Sequence, residues 1–280
     1  MKRNIYLKTI PPAEAVARVK ASIDREALIR EETIPSHEAS GRVLAHAVHA
    51  RYSSPTFHSA AMDGYAVNAR STFAAREGHP LTLKAGETCF AVNTGHPMPE
   101  GCDAVIMIEQ VVLDGGSVTI EAPAFPWQHV RRIGEDIVAT ELLFPRNHQL
   151  RPWDVGALLS GGIWDVPVWE RVTVRIIPTG DEVLDFTTHP DPGKGQVVES
   201  NSQMLAALAR ELGCVVERAA PVPDNPEALH QALKDSLDAG RHLTIFCAGS
   251  SAGSKDFTRA TLEKEGEILT HGIAAMPGKP

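Results

Sequence analysis

Apolar and polar positions follow three successive patterns along this chain, and each predicts a different kind of element. Over 11–30, Pro11-Pro12 is followed by Val16, Val19 and Ile23 at helical spacing, set among Glu14, Arg18, Lys20, Asp24, Arg25 and Glu26. That spacing predicts an amphipathic helix. From about 46 to 146 the apolar runs shorten and are cut by Gly and Pro: residues 81–84, 103–109, 111–113 and 117–121, with Asp114-Gly-Gly-Ser as a hairpin signal. This predicts a β-rich insert. A helical stretch (153–159) and an apolar run (166–169) then lead into a regular alternation. Strands are predicted at 172–177, 214–220, 243–247 and 267–270. Helices are predicted at 202–212 closed by Gly213, at 226–239 with Asn225 as N-cap, and at 257–265. Strands alternating with helices predict a parallel sheet with covered faces.

These patterns divide the chain into an N-terminal linker domain (1–45 plus 147–170), the β-rich inserted domain (46–146) and an α/β domain (171–280). The fold class is α/β multidomain. With 43% apolar and 22% charged residues over 280 positions, the chain suits more than one packed core. Its net charge of −8 argues against a general nucleic-acid binder. The N-terminus is basic but lacks an apolar run, and no stretch is apolar enough to span a bilayer, so a cytoplasmic location and no membrane partner are expected. Cys89, Cys102, Cys214 and Cys247 show no C-x-x-C spacing and read as free thiols.

Two features carry chemistry. In an open parallel sheet, ligands bind beyond the carboxyl ends of the strands. Each of the first three strands is followed there by acids: Thr179-Gly-Asp181-Glu182, Pro223-Asp224-Asn225, and a loop from Ala248 to Asp256. In the third loop Gly249, Ser250, Ser251 and Gly253 would leave backbone N–H groups open to an anion. Carboxylates beside an anion cradle require a cation between them, and a phosphate-bearing substrate with Mg2+ meets that need. Taken singly, Asp256 and Asp224 also read as an N-cap and a turn residue. The second feature is Asp63-Gly64, flanked by Ala60-Ala-Met62 and Tyr65-Ala-Val67. One reading is a hairpin turn. The apolar neighbours favour instead a partly buried carboxylate that needs a partner.

Six stretches in order resemble the molybdopterin molybdenumtransferases, the family of MoeA and the gephyrin E domain. They are residues 61–67 (Ala-Met-Asp-Gly-Tyr-Ala-Val), 93–99 (Asn-Thr-Gly-His-Pro-Met-Pro), 131–137 (Arg-Arg-Ile-Gly-Glu-Asp-Ile), 179–182, 249–256 and 277–280. The resemblance implies an elongated molecule with a molybdopterin-binding-like three-layer α/β domain. It also implies Mg2+-dependent insertion of molybdate into adenylylated molybdopterin, with release of AMP. It further implies a homodimer whose site is shared between subunits, with Asp63 reaching across to the partner. Carried over by position, Glu182, Asp256, Asp63, Asp224 and Asp136 are the catalytic candidates, and Glu182, Asp224 and Asp256 the metal candidates. Thr94, Gly95, Thr179, Gly180, Gly249, Ser250, Ser251, Gly253 and Lys279 are the substrate and phosphate candidates. Trp127, Trp153, Trp164 and Trp169 are expected to pack between domains, and His58 and His271 to be surface or hydrogen-bonded residues.

The sequence departs from the family pattern at Ala60, Ala248 and Met276, the last removing a positive charge. Relatives continue past the motif at 277–280 into a C-terminal β domain, so the expectation is a truncated α/β domain. The form of the 249–253 loop resembles a subgroup fused to a periplasmic-binding-protein-like domain. A non-catalytic module that binds molybdopterin or molybdate as sensor, carrier or scaffold is the alternative to the enzyme. Retention of Asp63, Glu182, Asp224 and Asp256 favours the enzyme, because an anion binder gains nothing from four acids.

Overall fold

The computed structural model describes residues 9–247, 257–270 and 272–275. They divide into two compact units, Glu32–Val168 and Met1–Glu31 with Trp169–Pro280. The segment 11–30 is two helices rather than one, α1 (Pro12–Ser22) and α2 (Arg25–Leu28). The break follows from Asp24, whose side chain accepts from the Ala27 amide at 3.2 Å and so caps a new helix. Ala15 is buried, while Val16, Val19 and Ile23, the predicted apolar face, are exposed. Arg18 Nη1 donates to Leu269 O at 3.1 Å and Ile10 bridges Ile273, tying α1 to the end of the described chain. Residues 12–31 therefore share a unit with the α/β region, a pairing that local periodicity does not contain.

The Glu32–Val168 unit is built from short strands: β1 (Glu31–Pro35), β2 (Val48–His49), β3 (Ser59–Ala60), β4 (Gly64–Val67), β5 (Leu81–Lys84) and β6 (Cys89–Val92). They continue as β7 (Ala104–Met107), β8 (Val111–Asp114), β9 (Ser117–Ile120), β10 (Val130–Arg131), β11 (Leu142–Phe144) and β12 (Asp165–Trp169), with α3 (Pro152–Ser160) between the last two. Two antiparallel three-stranded sheets run β6-β4-β7 and β5-β9-β8, and β3 pairs with β10. The hairpin signal at Asp114-Gly-Gly-Ser is the β8–β9 turn. There Gly115 and Gly116 both take positive φ, as a two-residue turn requires. Both faces of the β4–β7 pair are buried: Val67 and Ile106 pack in one core, Ala66 and Val105 in another. That explains why 104–107 reads as a continuous apolar run. A third core gathers Leu44, Leu150, Leu158, Val166 and Val168.

The second unit continues with β13 (Thr173–Pro178), β14 (Val183–Leu184), β15 (Val197–Val198), α4 (Asn201–Glu211), β16 (Val215–Arg218), α5 (Pro226–Asp238), β17 (Leu243–Cys247) and α6 (Phe257–Glu265). Its sheet has the order β16-β13-β17, all parallel. Ala206 of α4 is buried against Val174 and Ile176, and Asn225 caps α5 through Ala228 N at 2.8 Å, as the sequence predicts. The strand predicted at 267–270 does not form; the Leu269 carbonyl bonds to the Arg18 side chain instead of a ladder. Among the described residues no helix is long and apolar enough to cross a membrane, and the four cysteines are free. Trp127, Trp153 and Trp164 are exposed rather than packed away.

Candidate functional site

The strand order decides where the α/β unit presents its chemistry. β13 comes first in the chain yet lies in the middle, so the chain passes to β16 on one side and then crosses back to β17 on the other. Its carboxyl end is therefore the switch point at which such sheets form a crevice. Thr179 and Gly180 stand there. Thr179 is fully buried and its amide donates to Cys247 O at 2.9 Å, while the Gly180 amide donates to Val222 O at 3.1 Å. Gly180 has φ 138°, and a Cβ on it would lie 2.8 Å from Val183 Cγ2 and 3.1 Å from Glu182 Oε2, so any other residue there would be strained and would displace both side chains. The next residues, Asp181 and Glu182, are exposed. Asp181 Oδ1 accepts from the Asp224 amide at 3.0 Å. The loops after β13 and β16 are thus joined, and they bring Glu182 and Asp224 to one edge.

Behind these acids lies a group that periodicity did not reveal. Glu199 is buried; its Oε1 accepts from Ser202 N at 2.7 Å and its Oε2 from Ser202 Oγ at 2.5 Å. Arg218 donates to Ser202 Oγ, to Asp185 and to Glu199. Asp185 is held below the usual carboxylate range, first by the Thr187 amide and further by Arg218, against a smaller opposing effect of burial. Burial pushes the Cys247 thiol up, and the charge of Glu199 adds to it. The sequence signal is an acid just ahead of a helix start, Glu199 before Asn201, where a side-chain oxygen can accept from an unpaired amide of the first turn.

Asp63 in the other unit is placed differently. It is exposed, which corrects the expected partial burial, and it does not sit in a hairpin. It immediately precedes β4, whose ladder partners are β6 and β7, not β3. Its carbonyl accepts from the Ile108 amide at 3.0 Å. Gly64 is obligatory for packing, because a Cβ there would fall 2.0 Å from Ile106 O. The partner that the sequence left open is Thr94, whose amide and Oγ1 donate to Asp63 Oδ1 at 2.7 and 3.0 Å. These bonds, the backbone one first, hold the Asp63 carboxyl below its ordinary range. Asp63 is therefore a carboxylate at neutral pH, able to accept hydrogen bonds or face a cation but not to donate a proton.

Gly95, at φ 85°, turns the Thr94 segment back onto β3: its amide donates to Ala60 O, and Ala60 N donates to His96 O. His58 Nδ1 accepts from Ile133 N at 3.1 Å and its ring lies 4.9 Å from that of Trp127, the hydrogen-bonded role expected of it. Asp136 is exposed, and its amide donates to Ser54 O at 3.0 Å. Of the predicted residues, the structure pairs Asp63 with Thr94 and joins the Asp224 loop to the Thr179–Glu182 loop. Gly249, Ser250, Ser251, Gly253, Asp256, His271 and Lys279 lie outside the described residues.

Comparison with known proteins finds matches over most of the chain. Residues 10–162 match the MoeA N-terminal region (domain I and II), and residues 175–280 match a probable molybdopterin binding domain. The chain is 31% identical to a molybdopterin molybdenumtransferase of Synechococcus elongatus and 33% identical to that of Haemophilus influenzae, in each case over 89% of its length. It spans 66% and 64% of those relatives' own lengths. Among solved structures it resembles the molybdopterin biosynthesis MoeA protein from Pyrococcus horikoshii. There the TM-score is 0.78 at 28% identity, covering 98% of this chain and 71% of that one. Another structure, of a molybdopterin biosynthesis MoeA protein from Pyrococcus horikoshii OT3, gives a TM-score of 0.72 at 30% identity, covering 85% and 66%. With the N-terminal region and the molybdopterin-binding domain following one another in a single sequence, the chain belongs to the MoeA family.

Proposed function

We propose that this protein acts in molybdenum cofactor biosynthesis as a molybdopterin molybdenumtransferase. In this reading it takes adenylylated molybdopterin and molybdate, releases AMP, and leaves molybdenum on the pterin dithiolene. The observation that carries the reading is the gathering of Asp181, Glu182 and Asp224 at the carboxyl end of the central strand β13. Bare acids at a crevice repel a phosphate ester, so the arrangement calls for a cation.

Among the described residues no group of three or more His, Cys, Asp or Glu is arranged to hold a metal. Two carboxylates still suit Mg2+, which keeps several waters and is bound by one or two carboxylates plus substrate phosphates. Glu182 and Asp224 would hold it. The ion would supply charge neutralisation at the phosphoryl oxygens as AMP departs. The protein's own part is orientation: the Asp181 carboxylate fixes the Asp224 backbone, and Gly180 lets the strand end approach closely. We propose also that the protein is a homodimer in which Asp63 and Thr94 of one copy serve the acids of the other. Asp63, held ionised by Thr94, suits an acceptor for a substrate N–H or O–H group.

The test is AMP release from adenylylated molybdopterin with molybdate and Mg2+, comparing the parent chain with Glu182→Ala. Release by the parent that collapses in the variant supports the transferase. Ligand binding without release by the parent overturns it in favour of a binding module.

A further inference from the structure

Glu182 stands in a segment, 179–199, whose regular structure is only β14, β15 and one turn of 3-10 helix. Something outside the segment must hold it against the sheet. Arg218, the last residue of β16, does so: Nε donates to Ser202 Oγ at 2.9 Å, and Nη2 donates to Asp185 Oδ1 at 3.2 Å and Glu199 Oε2 at 3.4 Å. Its guanidinium carbon lies 4.5 Å from the Phe186 ring centroid. Asp185 follows β14 directly and Glu199 follows β15 directly, so one side chain grips both arms of the ribbon at the same level. The Arg218 side chain is 13% exposed and that of Glu199 4%. In such a shielded place the planar fork forms charge-assisted bonds that a lysine cannot duplicate.

The grip has a directional consequence. The chain leaving Arg218 is the one that carries Asp224, six residues later, and the Asp224 amide is itself bonded to Asp181. The ribbon with Glu182 is thereby held at two points, to Arg218 on β16 and, through Asp181, to the loop that follows β16. The hydrogen bonds of Arg218 go to Ser202, Asp185 and Glu199.

We propose that Arg218 is a positioning residue that sets the spacing of the Glu182 and Asp224 loops, and through it the affinity of this edge for a divalent cation. This rests on the proposed function above. The natural control is Arg175 on β13, the register partner of Glu217 on the opposite face of the sheet, since Ile176 is the partner of Arg218. Arg175 is similarly shielded, at 15% exposed, and ion-paired to Glu217, but has no bond to the ribbon.

The experiment measures Mn2+ binding by electron paramagnetic resonance for the parent, Arg218→Met, Arg218→Lys and Arg175→Met, below the melting midpoint of every variant. Amide hydrogen exchange over 180–185 and 222–224 is followed in parallel. Loss of an outer-shell positioning group should weaken cation binding about 10- to 100-fold in Arg218→Met. Arg218→Lys should fall between, and Arg175→Met should bind as the parent does even if it melts earlier. Exchange should rise over both segments only in the Arg218 variants. Parent-like Mn2+ affinity in Arg218→Met, or an equal loss in Arg175→Met, overturns the proposal. Should Arg218→Met not fold, Arg218→Lys decides by the same criterion. A parent that binds no Mn2+ defeats the cation-assisted reading itself, and unchanged exchange in the Arg218 variants then defeats the positioning claim separately.

Discussion

Asp63 and Glu182 are exposed carboxylates and Asp224 is half-buried, yet the strand-end acids and Asp63 are held in place by different means. Glu182 and Asp224 sit where they do because a parallel sheet of order β16-β13-β17 sends its first and second strands' connections to one edge. Topology brings both loops to that edge, and the bonds of Arg218 and Asp181 hold them there. Asp63 owes its position to contacts: Gly64 wedged under Ile106 O, the Ile108 amide on its carbonyl, and Thr94 on its carboxylate. An acid that topology brings to an edge stays near that edge when one bond is lost, whereas one placed by contact alone does not. Four substitutions sharpen that contrast.

The largest effect is expected beneath Asp63. Gly64→Ala forces a Cβ to within 2.0 Å of a backbone oxygen in a central strand, so the cost should reach about 3 kcal/mol or more, read as a lowered urea midpoint. Next is Glu182→Gln, which should cut AMP release by about 100-fold. Its unfolding midpoint should stay with the parent's, within about 0.5 kcal/mol, because the side chain is exposed. A large loss of stability there would mean that Glu182 is structural.

Asp181→Ala removes the acceptor for the Asp224 amide and should cost about 1 kcal/mol, with faster hydrogen exchange at Asp224 as the direct readout. The smallest change is Thr94→Val, which deletes the Oγ1 bond to Asp63 but keeps the stronger backbone one. NMR titration of the carboxyl should show the Asp63 pKa rising towards, but not reaching, its ordinary value. The sign follows from a folded-state value below the unfolded one. The stability from the Thr94 bonds is fully present above the ordinary carboxylate range and is lost as pH falls through the depressed value.

The same contrast explains what the sequence disclosed. Strands at 173–178, 215–218 and 243–247 announce themselves through periodicity, and the acids after them are legible because parallel topology assigns them an edge. The partner of Asp63 is Thr94, 31 residues away on another turn, and no local pattern connects the two. Arg218 hides for the same reason: a charged residue ending a strand looks solvated until Asp185, Glu199 and Ser202 converge on it. The helix predicted over 11–30 failed at Asp24 because a side chain that reads as surface charge is also a cap. Motif order identified the family because family patterns record contacts that single-chain periodicity cannot.

The central claim is that contact-placed Asp63 and topology-placed Glu182 serve one reaction from two copies of the chain. Asp63→Asn and Glu182→Gln chains, each inactive alone, are unfolded, mixed in equal amounts, refolded together and assayed for AMP release. A shared site predicts recovery to about a quarter of parental activity, since half the dimers are mixed and each of those carries one intact site. Activity that stays at the level of the separate variants contradicts the claim.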